Sequence, residues 1–202
     1  MPVCRRLIVA LAAALALLAA PAFAAVKLSF WSHDFGNYFP HAFIMLSGAP
    51  DADPGAPIQI NYGFTAKSIT PGILFGPVKG EILSMGKGYV RGSQRHFSVV
   101  LTDAQYGQVL ALVDQWRNMA QPSYDLHHRN CVSFVKAVAE LIGLNTDHTE
   151  RYTMKPRSFL DQVGFDNPGE VNMADSYVPK LHAPEGQGRK SLSAAAEQAP
   201  QH

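Results

Sequence analysis

Short apolar segments separated by turn residues divide the first half of the chain into predicted strands. The strands are predicted at residues 26–31, 41–47, 58–64, 80–85, 89–91 and 95–101. Segment 41–47 is apolar on both faces, which is typical of a central strand, whereas 58–64 alternates with period two. Prolines, glycines and aspartates fill 48–57, so we expect a hairpin connection there. The pattern predicts an antiparallel sheet of about five strands.

The second half of the chain changes to helical spacing. Thr102 opens a capping box, and the amphipathic helix that follows ends before Pro122. A second, more apolar helix begins after Asn130, a good N-cap, and stops at Gly143. Residues 156–163 predict one more short helix. Together these patterns predict an α+β fold in which the sheet packs against two or three helices.

The first 24 residues have the pattern of a cleavable signal peptide. Arg5 and Arg6 precede an apolar run at 7–20, and Ala22 and Ala24 provide an A-x-A cleavage site. The apolar run is too short to span a bilayer, which needs about 20 residues. We therefore expect an exported protein, periplasmic or secreted, without a stable membrane anchor.

The rest of the chain is predicted to form one domain, residues 25–168, followed by a tail, residues 169–202. The tail is rich in Pro, Gly, Ser, Gln and Ala, so we expect it to be mostly disordered. Removal of the two leader arginines changes the net charge from +1 to −1, and no basic stripe indicates nucleic-acid binding. No paired-cysteine or HExxH spacing and no phosphate loop occurs, so no metal and no cofactor are expected.

Cys131 is the strongest candidate for chemistry because it directly follows the N-cap of the apolar helix. It is the one cysteine that remains after signal-peptide removal, in a compartment that oxidises paired thiols. Unpaired N–H groups and the positive end of the helix dipole favour a thiolate at this position. Helical phase places Cys131 on the apolar stripe with Val135 and Val138, so it faces the sheet. A small cysteine that fills a gap in the core is the alternative.

Two upstream residues are candidates for a base and for the group that orients it. His41 heads an apolar strand, where packing would hold the imidazole with one nitrogen facing the thiol. A core histidine bonded to the backbone is the alternative. Asn61 lies in the next strand, where its amide oxygen would fix the tautomer of His41. Gln59, on the same face of that strand, competes for this role.

The order His41, Asn61, Cys131 and the motif Asn-Cys-x-x-Phe-Val at the helix start resemble a known superfamily. This is the circularly permuted branch of the NlpC-type papain-like proteins, which includes the lecithin retinol acyltransferase-like proteins. His-Ala-Phe-Ile at 41–44 also matches that branch. The resemblance covers residues 26–143. Ser133 stands where the acyltransferases usually have histidine, and the Asn61 position is often histidine or an acid elsewhere in the branch.

The resemblance implies a permuted papain-like fold and cysteine hydrolase chemistry. Cys131 would attack a carbonyl carbon, His41 would shuttle the proton and Asn61 would hold His41, while the Cys131 N–H would serve as one oxyanion donor. Peptidoglycan peptides are the common substrate of NlpC-type enzymes, so the implied activity is a cell-wall peptidase or amidase. Two alternatives stay open: a thioesterase or acyltransferase on lipid-like acyl substrates, and a non-catalytic binding module with the same fold.

Overall fold

A five-stranded antiparallel sheet forms the centre of the protein in a computed structural model, which describes residues 25–34 and 39–173. The strands are β1 (Val26–His33), β2 (His41–Gly48), β3 (Ile58–Ala66), β4 (Gly80–Leu83) and β5 (Gln94–Leu101). Their order across the sheet is β4-β3-β2-β1-β5. The strand that is apolar on both faces, β2, is therefore central, as its pattern predicts.

The described residues also form four α-helices and two short 3-10 helices. The α-helices are α1 (Lys87–Arg91), α2 (Asp103–Arg117), α3 (Cys131–Leu141) and α4 (Pro156–Asp166), and the 3-10 helices are Pro71–Leu74 and Glu150–Tyr152. The predicted α+β class, with a sheet of five strands and a few helices, is confirmed. Within this part of the chain, no helix is both long enough and apolar enough to cross a membrane.

Helices α2, α3 and α4 cover one face of the sheet, and the core lies between them. β2 contributes Ala42 and Ile44 to this core, since alternate residues of a strand share a face. Trp116 of α2 packs edge-on against Phe64 of β3 and Phe134 of α3, with ring centroids 4.9 and 5.4 Å apart. These aromatic contacts hold α3, which begins at Cys131, against the central strands.

The opposite face of the sheet carries an aromatic cluster beneath α1. The Tyr89 ring of α1 stacks on His33, with centroids 4.1 Å apart, and its centroid lies 6.0 Å from that of Phe43. Trp31 stacks on Phe43 at 6.1 Å. His41 belongs to this face because its side chain alternates with that of Ala42 along β2.

One predicted strand is a helix in the structure, and two predicted segments lie partly or wholly outside the described residues. Segment 89–91, predicted as a strand, ends helix α1 because the N–H groups of Val90 and Gly92 bond locally to Gly86 and Gly88. The predicted tail begins inside the described region, where Asn172 pairs with β5. Residues 174–202 and the predicted signal peptide, 1–24, lie outside the described residues.

Asn130 joins the start of α3 to two other segments. Its Oδ1 accepts hydrogen bonds from the N–H groups of Val132, at 2.8 Å, and Ser133, at 3.2 Å. Its Nδ2 donates to the carbonyl oxygens of Leu126, at 2.8 Å, and Thr153, at 2.9 Å. Because Asn130 is 3 % exposed, water cannot easily replace these four bonds.

We expect Asn130→Ala to lower the free energy of unfolding by about 2–4 kcal/mol, because it removes a helix cap and leaves buried carbonyls without a donor. The matched control is Thr102→Ala, which removes the exposed capping box of α2 and should cost about 1 kcal/mol. Urea denaturation measures both losses. Equal losses would show that the two Nδ2 bonds contribute nothing.

Candidate active site

The Cys131 thiol lies at the point where β2 and β3 separate. Ladder pairing of the two strands ends at Ile44 and Tyr62, so residues 41–43 have no ladder partner on β3. The backbone N–H of Ala42 donates to the Cys131 sulfur. The side chain of Cys131 is 5 % exposed and faces the sheet, as helical phase predicts.

Burial, and not the helix terminus, sets the protonation state of Cys131. Burial raises the pKa of the thiol, while hydrogen bonds from the N–H groups of Ala42, Val132 and Cys131 lower it. The net pKa is about 11. The helix N–H groups favour the thiolate, in the direction that the sequence predicts, but burial outweighs them. The sulfur carries its proton at neutral pH, although three backbone donors are already directed at it.

His41 is buried at the head of β2 and is neutral at physiological pH. Burial, and to a smaller extent the nearby His33, lower the pKa of its imidazole to about 4. The Nε2 atom has no hydrogen-bond partner. The described structure therefore holds a neutral imidazole and a neutral thiol at the same end of β2, with no hydrogen bond from Nε2 to the sulfur.

Gly63 of β3 lies where a side chain that orients His41 would have to stand. A Cβ atom at this glycine would lie 2.4 Å from Nε2 of His41 and 3.2 Å from Cβ of Phe43. The imidazole therefore ends against the backbone of Gly63, on the face of the sheet opposite the core residues Tyr62 and Phe64. His41 therefore faces away from the core in which Cys131 lies, although the two residues adjoin the same end of β2.

Asn61 does not hold His41, contrary to the sequence-based expectation. Its Oδ1 accepts from the N–H of Met85 at 2.6 Å, and its Nδ2 donates to the Met85 carbonyl at 3.0 Å. Both ends of the amide are thus bonded to one backbone residue. The amide fixes the segment between β4 and α1, and so helps to place Tyr89 over the face that contains His41.

Gln59, Tyr124 and His128 have separate positions around the two candidate residues. Gln59 is exposed and pairs with Ser47, near the far end of β2, so it is not the orienting group either. Tyr124 is buried, and burial together with the Cys131 charge raises the pKa of its phenol, which places it near the thiol. The side chain of His128 is 84 % exposed and pairs with Asp125 outside the site.

A buried polar chain that the sequence did not predict begins beside Ala42. Ser32 is the β1 residue opposite Ala42, and its Oγ lies 2.8 Å from Nε2 of His96. Nδ1 of His96 lies 2.7 Å from Oδ1 of Asp161 in α4. This order of groups is that of a Ser–His–Asp triad, but Ser32 is 1 % exposed and His96 is 2 % exposed. The chain therefore ties α4 to the sheet, and its one sequence signal is a histidine within the apolar strand β5.

No metal centre is evident in the part of the chain that the structure describes. Residues 25–34 and 39–173 contain no group of three or more His, Cys, Asp or Glu side chains that could hold one ion. The end of β2 carries a different set of groups on its two faces. It offers a thiol, a neutral imidazole and backbone donors.

The lowered pKa of His41 predicts a pH-dependent loss of stability. The pKa is 6.5 when unperturbed and about 4 in the fold, so the stabilisation is complete above pH 6.5 and is lost as the pH falls through 4. The loss amounts to roughly 3 kcal/mol. We expect His41→Gln to abolish this part of the pH dependence of the unfolding free energy. The exposed His128→Gln is the control and should leave it unchanged.

The raised pKa of Cys131 predicts slow alkylation. At pH 7 a thiol with a pKa of about 11 is thiolate in roughly one molecule in ten thousand, so iodoacetamide should label Cys131 far more slowly than free cysteine. The rate should increase about tenfold per pH unit towards pH 11. Peptide mapping by mass spectrometry follows Cys131 separately from Cys4, and urea-unfolded protein provides the reference rate. Rapid labelling at pH 6 would contradict the raised pKa.

Comparison with known proteins finds no matching family model, no similar curated protein and no similar solved structure. The geometry places Cys131 against the backbone of Ala42 on the helix-covered side of the sheet, and His41 at the next position of β2 with its side chain on the opposite face. It assigns Asn61 to the backbone of Met85.

Proposed function

We propose that the protein is an exported cysteine hydrolase of the permuted papain-like type, with Cys131 as nucleophile and His41 as base. The observation that carries the proposal is the Cys131 thiol itself. It heads a capped helix, accepts backbone donors from α3 and from Ala42, and lies at the strand end that His41 occupies. A cysteine that only filled a gap in the core would not require this convergence of donors.

The chemistry proceeds from a neutral pair. The sulfur attacks the carbonyl carbon of an amide while its proton passes to the imidazole of His41, and the three N–H groups stabilise the developing thiolate. Because the His41 side chain lies on the opposite face of the sheet in the described structure, this step requires it to reach the sulfur around the end of β2. The imidazolium then gives this proton to the leaving amine, which leaves a thioester on Cys131. Water, deprotonated by His41, hydrolyses the thioester and regenerates the thiol. Amide bonds of peptidoglycan peptides are the substrate that this proposal names first.

The gap beside Nε2 of His41 affects the expected rate. A residue that accepts a hydrogen bond from the far nitrogen stabilises the imidazolium and fixes its tautomer. Gly63 provides neither effect. Hydrolysis should therefore be slow relative to enzymes with a complete triad. It should also depend on polar groups of the substrate to stabilise the imidazolium of His41.

A digest of purified peptidoglycan fragments, analysed by mass spectrometry, tests the proposal. The wild type should release peptides by amide hydrolysis, and Cys131→Ala should abolish release. His41→Asn should slow it by about 10²–10⁴-fold, the usual contribution of a general base. His128→Asn, which changes an exposed histidine near α3, should retain the wild-type rate. Full hydrolysis by Cys131→Ala would exclude the nucleophile assignment.

One observation favours acyl substrates of lipid-like character as a second candidate. The loop before β4 exposes Ile69, Leu74 and Phe75, and its base is bonded to Tyr124 near the thiol. The same Cys131 and His41 would then cleave an ester or thioester. A panel of lipid esters, added to the digest experiment, distinguishes the two substrate classes. Binding of either class without turnover would indicate the non-catalytic module.

A further inference from the structure

The loop between β3 and β4 presents its apolar side chains to solvent. We call residues 67–79 the apolar loop. Phe75 is 87 % exposed, Leu74 is 63 % exposed and Ile69 is 60 % exposed. Soluble domains usually cover side chains of this size, and three together in one short loop indicate an interaction surface.

The exposed side chains are held in place by the fold of the loop. Thr70 accepts a hydrogen bond from the N–H of Ile73 at 3.1 Å, and Gly72 accepts one from the N–H of Phe75 at 3.0 Å. The side chain of Ile73 packs against the core. Because Ile73 points inward, Leu74 and Phe75 cannot both turn in, and the tip of the loop remains apolar.

Positive charge flanks the apolar tip. Lys67 and Lys79 are exposed at the base of the loop, where the N–H of Lys67 donates to the carbonyl of Lys79 at 2.8 Å. No Asp or Glu occurs in the sequence between Asp53 and Glu81. An apolar tip with a cationic base is the arrangement that binds the interface of an anionic membrane.

We propose that the apolar loop docks the protein on an anionic lipid surface. Leu74 and Phe75 enter the boundary between headgroups and acyl chains, while Lys67 and Lys79 contact the anionic headgroups. A stable protein interface takes about 20–30 residues on each partner, which is more than residues 67–79 provide. Binding to a lipid surface requires only that the tip of the loop, Leu74 and Phe75, inserts. The size of the loop is therefore more consistent with a lipid surface than with a folded protein partner.

Docking would also place the candidate site near the lipid surface. The N–H of Val78 donates to the carbonyl of Tyr124 at 2.8 Å, and the reverse bond is 3.0 Å long. Tyr124 lies near Cys131. The loop is therefore fixed to the same part of the molecule as the thiol. The proposal nevertheless does not depend on hydrolysis, because no step of docking uses Cys131.

Cosedimentation with vesicles tests the proposal. The full chain should bind vesicles of phosphatidylcholine that contain about one third phosphatidylglycerol, and added salt should weaken binding. The double variant Leu74→Ser, Phe75→Ser should reduce the partition coefficient at least about tenfold. The matched control is Phe165→Ser, which removes a side chain that is 80 % exposed on α4, and it should bind like the wild type.

Further variants separate the parts of the proposal. Lys67→Gln with Lys79→Gln should weaken binding to the anionic vesicles but leave the weak binding to pure phosphatidylcholine unchanged. Phe75→Trp should show a blue-shifted fluorescence increase on vesicle addition. Cys131→Ala should bind as the wild type does, so failure of the hydrolase proposal leaves this result unaffected.

Three outcomes would overturn lipid docking. The first is a wild type that does not bind the anionic vesicles. The second is equal loss of binding in the loop variant and in Phe165→Ser. The third is a dimer, seen by gel filtration, that the loop variant abolishes while vesicle binding persists, which would assign the loop to a second copy of the chain. Thermal unfolding checks that the exposed substitutions leave the fold intact.

Discussion

The capping of α3 by Asn130 is the interaction on which the candidate site depends. One buried amide bonds to the first turn of the helix and to the carbonyls of Leu126 and Thr153. The helix start, the preceding loop and the segment before α4 are therefore fixed to each other at a single point. Cys131 is the next residue, so this amide also fixes where the thiol meets β2. The donation from Ala42 to the sulfur follows from that placement.

The sheet and the long helices could be predicted from the sequence because their signals are local and repeated. The apolar run of β2, the capping box at Thr102 and the Asn130 cap each depend on residues that are close together in the chain. The segment Tyr89–Arg91 was predicted wrongly because three residues do not define a period. There, the bonds from Val90 and Gly92 to the preceding turn decide in favour of a helix.

The candidate site could be predicted only in part, because hydrogen-bond partners are a property of the tertiary structure. Helical phase correctly predicted that Cys131 faces the sheet. The sequence could not show that Met85, distant along the chain, takes both ends of the Asn61 amide. A signal for the true neighbour of His41 was present, since a glycine inside a strand marks a close approach, and Gly63 is such a glycine.

Burial determines how charge can form at this site. Desolvation opposes both the thiolate of Cys131 and the imidazolium of His41, and it outweighs the three backbone donors at the sulfur. Gly63 gives Nε2 of His41 no side-chain acceptor that could stabilise an imidazolium. A separated thiolate–imidazolium pair is therefore unfavourable, so in the proposed mechanism proton transfer would accompany attack on the carbonyl carbon. In the proposed mechanism the substrate, by its shape and its polar groups, would supply the stabilisation that a third residue supplies in a complete triad.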